Sequence, residues 1–324
     1  MPARNTLFFI VMVLFAAASP PVLAQPVAQP YPSKSIRFLV GFPPGGGADT
    51  LARMIGKHLS QSWGRAFVIE NRPGADSTIA TELGVKAAPD GYTIIFVTNA
   101  HVITPFQRQL PYDPIKDIAP ITLVASGPNL LLVHPSLPVK SLKDFIALAK
   151  ARPNELSFGS SGTGTSPYLA MELLKSMAGI EMVHIPYKGT GLALIDLTSG
   201  QIQTLFGAIS TTLPFVKNER LRALAVSSRT RIAQMPAVPT VAEAALPGFE
   251  AATWYGVVAP AGVAADVVQK LHAGIHSVLQ LPEARAYMGT LGFIPTGEGP
   301  KEFADIIRAD LQKWERVIRQ LPKS

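Results

Sequence analysis

Gly41-Phe42-Pro43-Pro44-Gly45-Gly46-Gly47-Ala48-Asp49 stands between an apolar run, Ile36 to Val40, and an amphipathic helical pattern that begins at Thr50. A strand that passes through a glycine loop into a helix N-terminus makes an anion site. The first N–H groups of the helix have no intrahelical partner, and the aligned peptide dipoles leave that end partly positive. Glycines let a ligand oxygen reach those amides. A nucleotide-binding loop would end in Gly-Lys-Ser/Thr, whereas Ala48-Asp49 stands there, and Gly-x-Gly-x-x-Gly does not fit either. Taken alone, the stretch equally suits a tight strand-to-helix turn with Asp49 as N-cap.

Outward from the loop, apolar strand-like runs alternate with helical patterns: Ile36–Val40, Leu51/Ile55/Leu59, Phe67–Glu70, Ile79/Leu83 and Thr93–Thr98. That β-α-β-α-β order implies a largely parallel sheet with helices on its faces. Ile121 to Val133 is a long apolar segment broken at Gly127-Pro128, where the chain is expected to leave one lobe for another. A second β/α series follows, with capping-box signals at Ser141/Asp144 and Thr240/Glu243 and a helix start at Ser166-Pro167. Trp254–Ala259 reads as the strand that returns to the first lobe, and three helical stretches close the chain.

The second series carries its own version of the opening feature. Ser160-Ser161-Gly162-Thr163-Gly164-Thr165-Ser166 again follows a strand and precedes a helix. Hydroxyls and backbone amides without a fixed cation suit a carboxylate, and two such loops across a cleft suit a dicarboxylate or another acid with polar ends.

Arg4, the apolar Leu7 to Ala18 and the small residues ending at Ala24 read as a secretory signal over residues 1–24. The apolar stretch is short of the roughly 20 residues needed to cross a bilayer. The chain of 324 residues has no cysteine, which excludes disulfides, thiolate metal sites and a lipid anchor on cysteine. A periplasmic protein, secreted and not lipid-anchored, is expected. The formal charge of +7 falls by one to +6 when Arg4 is removed with the signal, and favours acidic partners. The basic residues are scattered, so nucleic acid is not an expected partner.

Some of these residues could carry other chemistry. Ser160 or Ser161 as a hydrolase nucleophile lacks Gly-x-Ser-x-Gly, because Thr163 takes the fifth position from Gly159. His272 and His276 sit four apart, but Ala273 replaces the Glu of His-Glu-x-x-His, so no metal is expected. His101 follows the third strand, as a cleft residue or a hydrogen-bonded structural one. Tyr187-Lys188 places a phenol and an ammonium within reach of an acid, or a packed ring and a snorkelling stem.

Several stretches together carry a family resemblance from about Tyr31 to the last helix. They are Val40 to Asp49, Glu70-Asn71-Arg72-Pro73-Gly74-Ala75, Pro89-Asp90-Gly91-Tyr92-Thr93, Ser160 to Ser166, His184-Ile185-Pro186-Tyr187-Lys188-Gly189, Val238 to Glu243 and Trp254-Tyr255-Gly256. In order and spacing the chain resembles the Bug family of extracytoplasmic solute receptors, the binding proteins of tripartite tricarboxylate transporters. The resemblance implies two α/β lobes closing on a ligand like a Venus flytrap. It also implies carboxylates gripped by the two loops through backbone groups and ordered water rather than a salt bridge. Two positions depart from the family pattern: Asp76-Ser77 where two glycines are common, and Tyr168-Leu169 where His-Leu is usual. Asp76 is expected to disfavour one acidic group or to recognise an amino group.

The fold expected is therefore a two-lobed α/β periplasmic binding protein, each lobe a mixed, mainly parallel sheet flanked by helices. Residues 25–123 and 251–324 would form the first lobe and residues 124–250 the second. Candidate ligand-binding residues are Phe42, Pro43, Pro44, Gly45, Gly46, Gly47, Asp49, Ala75, Asp76, Asn99 and His101 in the first lobe. In the second they are Ser160, Ser161, Gly162, Thr163, Gly164, Thr165, Ser166, Tyr187 and Lys188. The expected function is non-catalytic capture of a small organic acid and delivery to membrane transporter subunits, by a monomer without cofactor or metal. A report to a sensor kinase and an exported serine hydrolase are the alternatives.

Overall fold

β1 (Ile36–Val40) is buried along nearly its whole length, which suits a continuous apolar run at the centre of a sheet. It belongs to a computed structural model in which residues 31–162, 165–187 and 190–319 are described. The signal expected over residues 1–24, together with Thr163, Gly164 and Lys188, lies outside the described residues.

From β1 the chain runs through α1 (Gly47–Trp63), β2 (Phe67–Asn71), α2 (Thr78–Val85), β3 (Thr93–Thr98), α3 (Ala100–Ile103) and β4 (Ile118–Gly127). Then come β5 (Asn129–Val133), α4 (Leu142–Ala151), β6 (Ser157–Ser160), α5 (Ser166–Ala178), β7 (Val183–Pro186), α6 (Thr190–Thr198) and β8 (Thr204–Ala208). α7 (Ile209–Lys217), β9 (Arg222–Val226), α8 (Val241–Ala244), β10 (Thr253–Pro260), α9 (Ala265–Gln280), α10 (Pro282–Thr290), β11 (Ile294–Pro295) and α11 (Pro300–Arg319) complete it.

The strands form two sheets, ordered β11-β4-β10-β3-β1-β2 and β7-β6-β8-β5-β9. Both are mixed, as expected, but among the described residues neither is mainly parallel: three of the five strand pairings in the first sheet and two of the four in the second are antiparallel. β2, β1 and β3 pair in parallel in the first, and β7, β6 and β8 in the second. β10 enters between β3 and β4 antiparallel to both, and β5 pairs antiparallel with β8 and β9. Parallel pairing is thus confined to the βαβ units, where a helix carries the chain back to the same end. The strands that cross between sheets arrive from the opposite end.

Local signals set two of the helix starts outright. Ser141 accepts from the Asp144 amide at 3.2 Å while the Asp144 carboxylate accepts from the Ser141 amide at 3.0 Å, a complete capping box. Thr240 and Glu243 repeat it before α8. α11 packs on α3, β4 and α5, and so touches elements of both sheets. Its Phe303, Ile307, Trp314 and Val317 are buried in the same apolar cluster as Val97 of the first sheet and Phe158 of the second. Phe303 meets Trp254 edge-on with centroids 5.4 Å apart, and the tip of its ring fills the space where Gly256 has no side chain.

Candidate functional site

The opening loop is built by what its residues lack. A Cβ on Gly41 would coincide with the Ser77 hydroxyl, so glycine lets the turn before α2 pack onto the end of β1. Gly45 has φ +82°, open to glycine without strain. Helix α1 begins at Gly47, three residues earlier than the apolar pattern indicates, and its N-cap is Gly46 with no side-chain cap. Asp49 is therefore not the N-cap. Its buried carboxylate folds back to accept from the Gly45 amide, Arg53 Nε and Asn71 Nδ2, each at 2.9 Å. Burial pushes its pKa up, but the bonds from Arg53, Gly45 and Asn71 outweigh it and hold the group below the ordinary carboxylate value. Asp49 braces the loop and leaves the helix amides open.

The second loop leaves β6 at Ser160, whose hydroxyl lies 2.7 Å from His184 Nε2 and accepts from the Gly162 amide at 3.1 Å. Thr165, the N-cap of α5, spends its hydroxyl on the Gly162 carbonyl at 2.7 Å instead of capping the helix. Pro167 stands in the first turn, where a missing N–H costs nothing. Both helices thus present uncapped N-termini.

These two ends face one cavity of about 1580 Å³ between the sheets. Phe42, Pro43, Gly46 and Gly47 line it from the first loop, Thr165 and Ser166 from the second, with Asp76 and Asn99 on its wall. At its floor Thr253 of β10 donates to the Ser166 hydroxyl at 2.8 Å, tying the two sheets beside the second helix end. Pro44, Gly45, Asp49, Ala75, Ser160, Ser161 and Gly162, expected at the site, do not line this cavity; Gly45 and Asp49 line a separate groove of about 520 Å³.

Two candidates are held away from the cavity by other partners. His101 is 4% exposed, stacks on Tyr112 and holds Nε2 at 2.8 Å from the Pro114 carbonyl; burial lowers its pKa, so the ring is neutral and structural. Tyr187 donates to Asp196 at 2.7 Å, with a pKa pushed up to about 12 by burial and by that carboxylate.

The cavity also takes residues that were not among the expected ligand contacts, including Phe106, Arg108, Tyr168, His184 and Tyr255. Tyr255 reaches it from β10; its ring packs on Phe293 and Phe96, and burial pushes its pKa up to about 12. Tyr168 sits on the first turn of α5 against His184, centroids 4.6 Å apart, and its departure from the family pattern was the available signal.

The Ser160–His184 contact is the arrangement a hydrolase would need, but its surroundings oppose that use. Ser160 is 2% exposed and is not part of the cavity wall. Among the described residues no carboxylate bonds to His184, and burial together with nearby Lys175 disfavours the imidazolium a general base must become. His272 and His276 form no metal cluster with a third ligand among the described residues.

Residues 51–322 match the family model described as the tripartite tricarboxylate transporter family receptor, TctC. Protein BugT of Bordetella pertussis is 33% identical over 302 residues, covering 92% of this chain and 93% of that protein. Among solved structures, R. palustris Rpa4515 with adipate is 35% identical at a TM-score of 0.74, covering 89% of this chain and 97% of that one. MatC from Rhodopseudomonas palustris with bound malate is 30% identical at a TM-score of 0.70, covering 89% and 100%. This chain belongs to the TctC family of tripartite tricarboxylate transporter receptors, periplasmic solute-binding proteins that capture ligands and do not catalyse.

Proposed function

We propose that the protein captures a small organic acid, a carboxylate or dicarboxylate, in the cavity between its sheets and delivers it to a tripartite tricarboxylate-type membrane transporter. One observation carries the reading: the uncapped N-termini of α1 and α5, one from each sheet, open onto the same cavity. Each end offers amide donors and a positive dipole to an anionic group. An acid with two polar ends would bridge them and draw the lobes together. The bound adipate and malate of the two related structures support this ligand class. The lobes are proposed to divide near residues 124 and 251, a division supported by sheet membership, with β4 staying in the first sheet through Gly127. Export through a signal over residues 1–24, without a lipid anchor, completes the reading; among the described residues no helix is long and apolar enough to cross a membrane.

The test is a thermal-shift screen against mono-, di- and tricarboxylates, aromatic acids and acidic amino acids, followed by calorimetric titration. A ligand that binds only the folded state raises the melting temperature by mass action. One class should shift it, with 1:1 binding and an unchanged ligand recovered afterwards. Sustained product formation that Ser160→Ala abolishes would defeat the receptor reading.

A further inference from the structure

The cavity wall of the first lobe carries a charge pair that two helix N-termini do not explain. Asp76 lies in a turn where Ala75, Asp76 and Ser77 have φ +47°, +54° and +73°, three successive non-glycine residues in left-handed conformation. Side chains are disfavoured there, and such strain persists only where surrounding structure enforces it. Here Ser77 is wedged, 4% exposed, against the backbone of Gly41, which locks the turn to the ligand loop. The strained turn presents a carboxylate at the cavity: Asp76 and Arg108 both line it, with Arg108 Nη2 donating to Asp76 Oδ2 at 2.8 Å. Both side chains are about half exposed, at 53% and 45%, so a ligand can reach each of them. Phe42, Asn99, Thr104 and Phe106 beside the pair are uncharged, and the other arginine of the cavity lining, Arg319, is paired with Glu315 at 2.6 Å.

We infer that the Asp76–Arg108 pair makes the receptor selective for acids that carry an ammonium group beside a carboxylate, amino acids with a second polar or acidic end, over plain dicarboxylates. The inference rests on the receptor reading above. A lone carboxylate that approaches Arg108 must also approach Asp76, and the like charge offsets what the guanidinium contributes. The α-amino acid group presents both signs a few ångströms apart. Its carboxylate accepts from Arg108 while its ammonium donates to Asp76, so both charges are satisfied and none faces its like. The ligand's other end then remains for the amides of the helix N-termini.

Calorimetric titration of three matched pairs, succinate and aspartate, glutarate and glutamate, adipate and 2-aminoadipate, tests the inference on the wild type and on Asp76→Asn. Asparagine tolerates left-handed φ and keeps the shape of the side chain, and a melting curve confirms that the variant folds. The wild type should bind the amino member of its best pair at least tenfold tighter, and Asp76→Asn should shrink that preference to threefold or less. Equal or tighter binding of the plain dicarboxylates, or a preference unchanged in Asp76→Asn, overturns the inference and leaves the receptor reading standing. Binding of neither member of any pair, nor of any other acid in the wider screen, overturns both.

Discussion

Gly46→Ala separates folding from binding at the opening loop. Gly46 has φ −74° and ψ 167°, values any residue adopts, and a Cβ there would meet only the Pro43 carbonyl oxygen, at 3.5 Å. The fold therefore has room for the methyl group. Replacing glycine where its conformation is ordinary stabilises a protein by about 0.4–1 kcal/mol, because the unfolded chain loses freedom. Gly46 is also the N-cap of α1, where alanine is disfavoured by a similar amount, so the two effects offset and Tm should stay within about 2 °C of wild type. Binding should weaken nonetheless, since the methyl group stands at the cavity wall beside the first amides of α1. Losing one charge-assisted hydrogen bond costs about 1.5–3 kcal/mol, roughly a ten- to hundredfold weaker Kd. Scanning calorimetry reads the first effect and isothermal titration with the best acid of the screen reads the second. Wild-type affinity in a fully folded variant would refute the placement of the ligand at this loop, and a fall in Tm of more than about 5 °C would refute the open space around Gly46. Gly162 is a poorer probe, because its φ of +129° makes any side chain there strained irrespective of ligand.

Asp49→Ala removes the acceptor for three donors in a buried place and should cost about 2–4 kcal/mol of unfolding free energy, with weakened ligand binding as Gly45 is released. Because the folded pKa of Asp49 lies below its ordinary 3.8, its contribution is present above that value and is lost as pH falls through the folded pKa; acid melts of wild type and variant should converge there. His101 has a folded pKa below 6.5, so the neutral ring's contribution is complete above pH 6.5 and declines as pH falls toward the folded value. Melts at pH 7.5 and 5.5 should show a larger loss in wild type than in His101→Phe, by about a degree or more if the site titrates as its burial requires. Gly256→Ala drives a Cβ to 2.2 Å from Phe303 Cζ and should cost about 1–3 kcal/mol, measured by urea unfolding.

Much of the chain's organisation was legible residue by residue, because it depends on chemistry within a few positions. β1 and β3 fall at Ile36–Val40 and Thr93–Thr98, as their apolar runs indicate, and both capping boxes form as spelled. Strand-loop-helix spelling located both loops, and Gly127-Pro128 marked the passage between sheets. What tertiary structure alone decided is where each side chain ends, since partners far apart in sequence compete for it. Asp49 turns from its helix end because Asn71, 22 residues on, stands beside it, and Pro114 draws His101 inward. Asp76 finds Arg108 across 32 residues, and Ser166 meets Thr253 across 87. No period or motif encodes such pairs. The crossing of β4 and β10 brings two sheets to one cavity, and burial there assigns each polar group its partner.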